Sequence, residues 1–111
     1  MAATTELLSM DEAPITALVV ANNLMTIGAL RALRARGLRV PEDVGLVPID
    51  DPFWAELVDP PLTTLAQPIQ QMAESAAELL FNRIEGDRCT RTTCLMFSFA
   101  LRVRGSCGVQ G

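Results

Sequence analysis

The 111 residues include no lysine, no histidine and no tyrosine, so all nine basic residues are arginines. Without histidine the chain lacks both the commonest general base and the commonest metal ligand. Only three cysteines occur, Cys89, Cys94 and Cys107, and their spacing fits no paired C-x-x-C zinc signature. An odd count with no export signal reads as reduced thiols in the cytoplasm, and no metal or cofactor is expected. Long apolar runs are also missing. The longest, Ala17 to Ala21, is far short of the roughly 20 residues of a membrane span. The amino-terminal stretch has no basic segment and carries Glu6, so no signal peptide is expected. A net charge of −4 and a pI near 4.6 argue against a nucleic-acid surface on these residues. No G-x-G-x-x-G follows a strand and no serine sits in a G-x-S-x-G elbow, which removes dinucleotide binding and serine hydrolysis.

What is present is a half-apolar chain, 20% charged, long enough for one small domain with a core. Its apolar pattern alternates between strand and helix. Residues Ala2 to Ser9 read as a short helix, closed by Asp11, Glu12 and Pro14. Ile15 to Ala21 is a continuous Val-rich run and predicts a strand buried on both faces. Asn23 is expected to cap a helix in which Leu24, Ile27, Leu30 and Leu33 form the apolar stripe. Arg31, Arg34, Arg36 and Arg39 read as its solvated side, and Gly37 as its left-handed end. Val44 to Ile49 predicts a second buried strand, parallel to the first, with Pro48 at its end. Phe53 to Val58 reads as one helical turn, and Leu62 to Ala66 as a short extended segment. Pro68 opens a helix with a stripe of Ile69, Met72, Ala73, Ala76, Leu80 and Ile84, closed by Gly86. Thr92 to Val103 predicts one or two last strands, with Arg102 and Arg104 on one face. The fold class is α/β, a layered parallel sheet.

In open α/β sheets, ligands sit beyond the carboxyl ends of the parallel strands. Asn22 and Asn23 follow the first strand there, and Asp50 and Asp51 follow the second. An amide that donates and accepts, beside a carboxylate that only accepts, suits sugar or nucleoside hydroxyls. A helix cap at either asparagine is compatible with that role. A catalytic carboxylate pair or a magnesium site is the weaker reading, because adjacent residues at a strand end point in different directions. Trp54, with Phe53, stands close enough to stack on a sugar face, although plain packing is the stronger expectation. No catalytic residue is nominated.

Several segments together resemble the lactose-repressor (LacI/GalR) family of transcription regulators. Ala21–Leu33 resembles its A-N-D-x-M-A-x-G-A-x-x-A-L block, and Gly37–Val44 continues as G-x-x-V-P-x-D-V. Val47–Asp51 resembles V-G-F-D-D, Pro60–Pro68 resembles P-P-L-T-T-V-x-Q-P, and Arg104–Ser106 resembles R-x-S. The likeness runs from about residue 1 to 106. It implies part of an effector-sensing domain of the type I periplasmic-binding-protein kind, with two α/β subdomains around a cleft. Residues 1–64 would belong to the second subdomain, 65–90 would carry a helix of the first, and 91–106 would return. By resemblance Asn22, Asp50 and Gln67 contact a small polar effector, with a sugar the leading candidate. Asn23, Asp51 and Trp54 are its cleft neighbours, and Leu24, Ile27 and Val58 lie at a dimer contact. Asn23 departs from the family's aspartate, Pro48 from its glycine, and Ser98 stands near an expected proline.

A DNA-binding headpiece is missing from these residues, so DNA would be reached only through it. The partners implied are a small-molecule effector and a second copy of the chain, in the cytoplasm and away from membranes. A solute-binding protein of a sugar transporter shares the fold and is the alternative. A free-standing module that pairs with intact regulators is a third reading. A partial domain leaves sheet edges and helix faces uncovered, so a marginal, oligomeric or aggregation-prone chain is expected.

Overall fold

A computed structural model describes residues 1–10, 14–86 and 92–109. The elements run α1 (Ala2–Leu7), β1 (Ala17–Val20), α2 (Asn23–Ala35), β2 (Gly45–Pro48), a 3-10 turn (Phe53–Glu56), β3 (Thr64–Ala66), α3 (Ile69–Ile84), β4 (Ala100–Arg102) and a second 3-10 turn (Gly105–Cys107). They fall into two units. The first comprises residues 1–66 and 101–111, and the second residues 67–100. Asp11, Glu12 and Cys89, named above, lie outside the described residues.

In the first unit β1 and β2 form the expected parallel pair, with Ala17 beside Gly45 and Val20 beside Pro48. Pro48 is tolerated because it is the last residue of its strand, and the next amide, Ile49, continues the ladder to the Val20 carbonyl at 2.7 Å. A parallel bridge from Ile49 to Leu65 carries the sheet on to β3, which pairs with β4. The core gathers Val20, Ala29, Leu46, Ala55 and Leu62, with Leu18, Leu30, Val40, Trp54 and Val58 packed around it. Leu46 and Leu62 are fully enclosed, and each contributes on the order of 1.5–3 kcal/mol by leaving water.

Three expectations need correction here. First, β1 is not buried on both faces: Val19 is 73% exposed while Val20 beside it is buried. Alternate strand residues face opposite sides, and only one side meets α2. Second, the cap of α2 is Asn22, one residue earlier than expected. Its Oδ1 accepts from the Met25 amide at 2.9 Å. Third, the buried face of α2 is Thr26, Ala29, Ala32 and Leu33, whereas Leu24 is 82% exposed and Ile27 is also exposed. The polar Thr26 can sit inside because its hydroxyl donates to the Asn22 carbonyl at 2.8 Å.

The end of α2 is as expected. Gly37 takes φ +68°, its amide bonds the Arg34 carbonyl, and the Leu38 amide reaches back to Leu33, the paired bonds of a Schellman motif. Arg31, Arg34, Arg36 and Arg39 are exposed. Arg36 holds α1 by donating to the Thr5 carbonyl at 2.8 Å and to the Ser9 hydroxyl. A methyl group on Gly28 would stand 2.6 Å from the Met1 nitrogen, so a larger residue there requires Met1 to shift.

The second unit is α3 with the segment 92–100. Pro68 precedes the helix and Gly86, at φ +108°, follows it. No residue of α3 is buried, and Ile69, Leu80 and Ile84 of the expected stripe are exposed. Of the one or two strands expected over 92–103, the structure contains only Ala100–Arg102, because residues 92–99 form no regular ladder.

Candidate functional site

The register of the parallel pair decides which polar residues meet. Val20 and Pro48 are partners, so Asn22 and Asp50 each stand two residues beyond the last paired position. Neighbouring strands run about 4.8 Å apart, so an amide and a carboxylate follow the ends of two adjacent strands. Asn22 is exposed and Asp50 half-buried. The Met25 amide fixes the Asn22 oxygen inward as the cap, leaving the two Nδ2 donors for another acceptor. Asp50 has φ +81° and is the one non-glycine residue with positive φ among those described. Aspartate tolerates this left-handed region better than most side chains, yet it remains an uncommon, strained backbone state. The Asp50 amide donates to the Leu65 carbonyl at 2.9 Å, which ties the turn to the start of β3.

The neighbouring residues divide sharply. Asn23 is half-buried, and its Oδ1 is enclosed without a hydrogen-bond partner among the described residues. Asp51 points into a cluster of arginines. Its Oδ1 accepts from Arg104 Nη1 at 2.8 Å and from the Thr64 hydroxyl at 2.9 Å. Its Oδ2 accepts from Arg104 Nη2 at 3.2 Å and lies 3.0 Å from Arg102 Nε. The fork of the Arg104 guanidinium, chiefly, holds the Asp51 carboxyl below the ordinary carboxylate range, against the opposing effect of its burial. Arg102 and Arg104 therefore do not simply mark one face of a strand: Arg104 lies beyond β4 and both converge on Asp51.

Trp54 is half-buried and packs against the core, while Phe53 beside it is exposed. Gln67 is half-buried in the second unit, where it lines a shallow open depression with Pro68, Ile69, Gln70 and Gln71. Of the dimer-contact residues, Leu24 and Ile27 are exposed on α2, and Val58 is half-buried against the core. Val58 also lines a groove of about 440 Å³ with Leu30, Leu38, Val40 and Pro60. That groove lies where the chain enters β2, at the end of the strand away from Asp50. Among the described residues no group of three metal-ligating side chains comes together. No described helix is long and apolar enough to cross a membrane.

Reading the residues one by one missed the network that closes this end of the unit. The buried Ser106 hydroxyl donates to the Leu46 carbonyl and accepts from the Thr63 amide at 2.9 Å. The Thr63 hydroxyl accepts from the Arg104 amide at 2.8 Å and lies 3.2 Å from Cys107 Sγ. That hydroxyl, first of all, draws the Cys107 thiol below its ordinary range. Cys94 and Cys107 are both free. The signal for this network was the pair of blocks P-P-L-T-T and R-x-S, whose partnership a linear reading does not display.

Residues 1–107 match the periplasmic binding protein-like domain family. The transcriptional regulator CelR of Thermobifida fusca is 45% identical over 107 residues, which is 96% of this chain and 31% of that protein. The structure of a CelR–cellobiose complex is similar with a TM-score of 0.82 at 43% identity, over 95% of this chain and 32% of that one. The lac repressor dimer bound to operator and the anti-inducer ONPF gives a TM-score of 0.74 at 30% identity, over 95% of this chain and 31% of the repressor. The chain thus spans about a third or less of the length of these relatives.

Proposed function

The chain belongs to the periplasmic binding protein-like domain family, in the form carried by LacI-type transcription regulators, and from that premise we propose that it is the ligand-sensing and dimerisation portion of such a regulator. The observation that supports this reading is the register of β1 and β2, in which Val20 and Pro48 are partners and Asn22 and Asp50 each follow two residues later. Asn22 offers amide donors and Asp50 a carboxylate acceptor, and a sugar diol needs both. CelR with cellobiose is the similar complex that points to a sugar. Gln67 joins these two on the strength of the family motif. In the proposed division, residues 1–64 belong to the second subdomain, 65–90 to the first, and 91–106 to the return.

Leu24 and Ile27, exposed on α2, and the half-buried Val58 are the proposed contact with a second copy. The similar lac repressor structure is a dimer. Binding of DNA belongs to a headpiece beyond these 111 residues, and effector binding biases it between two states. The function is regulatory and not enzymatic, and its place is the cytoplasm. Regulators among the relatives favour this reading over a transporter's solute-binding protein.

The test is saturation-transfer NMR of the chain with cellobiose, ribose and lactose in turn. The expected result is transfer to the sugar protons of at least one of them, lost in Asp50→Asn. Transfer to none, or transfer that survives Asp50→Asn, refutes the reading.

A further inference from the structure

The strand tip poses a problem that the effector reading leaves open. Asp50 occupies an unfavourable backbone region, and something must over-determine it. Asp51, the next residue, cannot share the ligand role. A carboxylate offers about four lone-pair sites, and the Asp51 oxygens already meet Arg104 twice, Thr64 once and Arg102 once. Asp51 is 18% and Arg104 14% exposed, so little water competes. Arg104 Nη1 also reaches the Leu62 carbonyl at 2.7 Å and the Thr64 hydroxyl at 3.2 Å, and its Nη2 donates to Glu56 Oε1 at 2.9 Å.

The partners come from particular places in the chain. The polypeptide leaves the first unit after Ala66 and re-enters it at Leu101. Thr64 lies just before the exit, and Arg102 and Arg104 just after the return. Both connecting segments are therefore fastened to the one carboxylate that follows Asp50, while the Asp50 amide is bonded to Leu65 of the outgoing segment.

We propose that Asp51, clamped by Arg104, is the positioning residue of the effector site: it holds the Asp50 backbone in its left-handed turn and keeps both connecting segments on the strand tip. What Asp50 then does for a ligand rests on the effector reading above. The clamp itself does not.

The experiment therefore reads Asp50 directly. The isotope-labelled 111-residue chain and its Asp51→Asn variant are compared by heteronuclear NMR, with the φ of Asp50 followed through its Cα and Cβ shifts and its HN–Hα coupling. The expected result is loss of the positive-φ signature at Asp50, with the amide shifts of α3 unchanged. A signature that persists in Asp51→Asn overturns the proposal. Should that variant give no dispersed spectrum, Arg102→Gln decides, because Arg102 is 59% exposed and gives Asp51 only one contact. Amide shifts that then reach Asp50 and Thr64 support the clamp, and shifts confined to residues 100–104 overturn it. In a parallel titration with cellobiose, Asp51→Asn should bind at least tenfold more weakly than the unaltered chain, and equal binding would remove the positioning role. If the unaltered chain does not bind cellobiose, the effector reading fails for that sugar, and the Asp50 signature still decides the clamp.

Discussion

Asn22 is asked to do two things with one amide, and substitution can separate them. Its oxygen caps α2 through the 2.9 Å bond from Met25, and its nitrogen is the proposed donor to an effector. Asn22→Ala removes both. Loss of an N-cap costs about 1 kcal/mol, within a range of about 0.5–2, which lowers the melting temperature of a domain near this size by roughly 4–8 °C per kcal/mol. Asn22→Ser keeps an oxygen that caps nearly as well, so its melting temperature should stay within about a degree or two of the original. It removes the amide donors, however. A lost hydrogen bond of about 0.5–1.5 kcal/mol weakens binding roughly two- to thirteen-fold. The assay is thermal unfolding by circular dichroism, paired with sugar titration of the same samples. Serine as destabilising as alanine would refute the capping role, and serine binding sugar at full strength would refute the ligand role.

Three further outcomes follow from the packing and charge. Ser106→Ala strands the Leu46 carbonyl and the Thr63 amide and should cost about 1–3 kcal/mol, read as a lowered urea midpoint; an unmoved midpoint contradicts the network. Asp51 has a pKa below its unfolded value of about 3.9, so its stabilisation is complete above that pH and fades as pH falls through the depressed folded value. Asp51→Asn should therefore flatten the dependence of stability on pH below about 4, and an unchanged slope would falsify the pairing. Leu24→Glu combined with Ile27→Glu should shift sedimentation toward the monomer while changing the melting temperature little, since both side chains are exposed; unchanged association sets aside the α2 contact.

How far the sequence could be read depended on the range of the physics involved. Gly37, Pro48, Pro68 and Gly86 announced element ends correctly because glycine's access to positive φ and proline's fixed φ and missing donor act on their own residue. That Asn22 and Asp50 follow the ends of adjacent strands was legible because the two strands are parallel. Asn23 was expected as the cap in place of Asn22, because two identical amides differ only in the angle at which the chain enters α2. Exposure of Val19, Leu24 and the α3 stripe depends on which neighbours cover a face, and periodicity says only that a face exists. The arginine clamp was beyond a linear reading, because Asp51 and Arg104 are 53 positions apart. Gln67 entered through resemblance alone.

The seal that Ser106 places on Leu46 also has a consequence in time. Thr63 waits 43 residues for the hydroxyl that satisfies its amide, and Leu46 waits 60. At the usual translation rate of about 5–20 residues per second, the Thr63 gap alone lasts roughly 2–9 s, far longer than the microseconds in which a helix such as α2 forms. During that interval the nascent chain can have its central strand pair and helix in place while the strand end stays unlatched. Non-local closure of this kind slows folding. Emergence of Arg104–Cys107 from the ribosome, more than any internal rearrangement, then sets the moment at which the first unit locks.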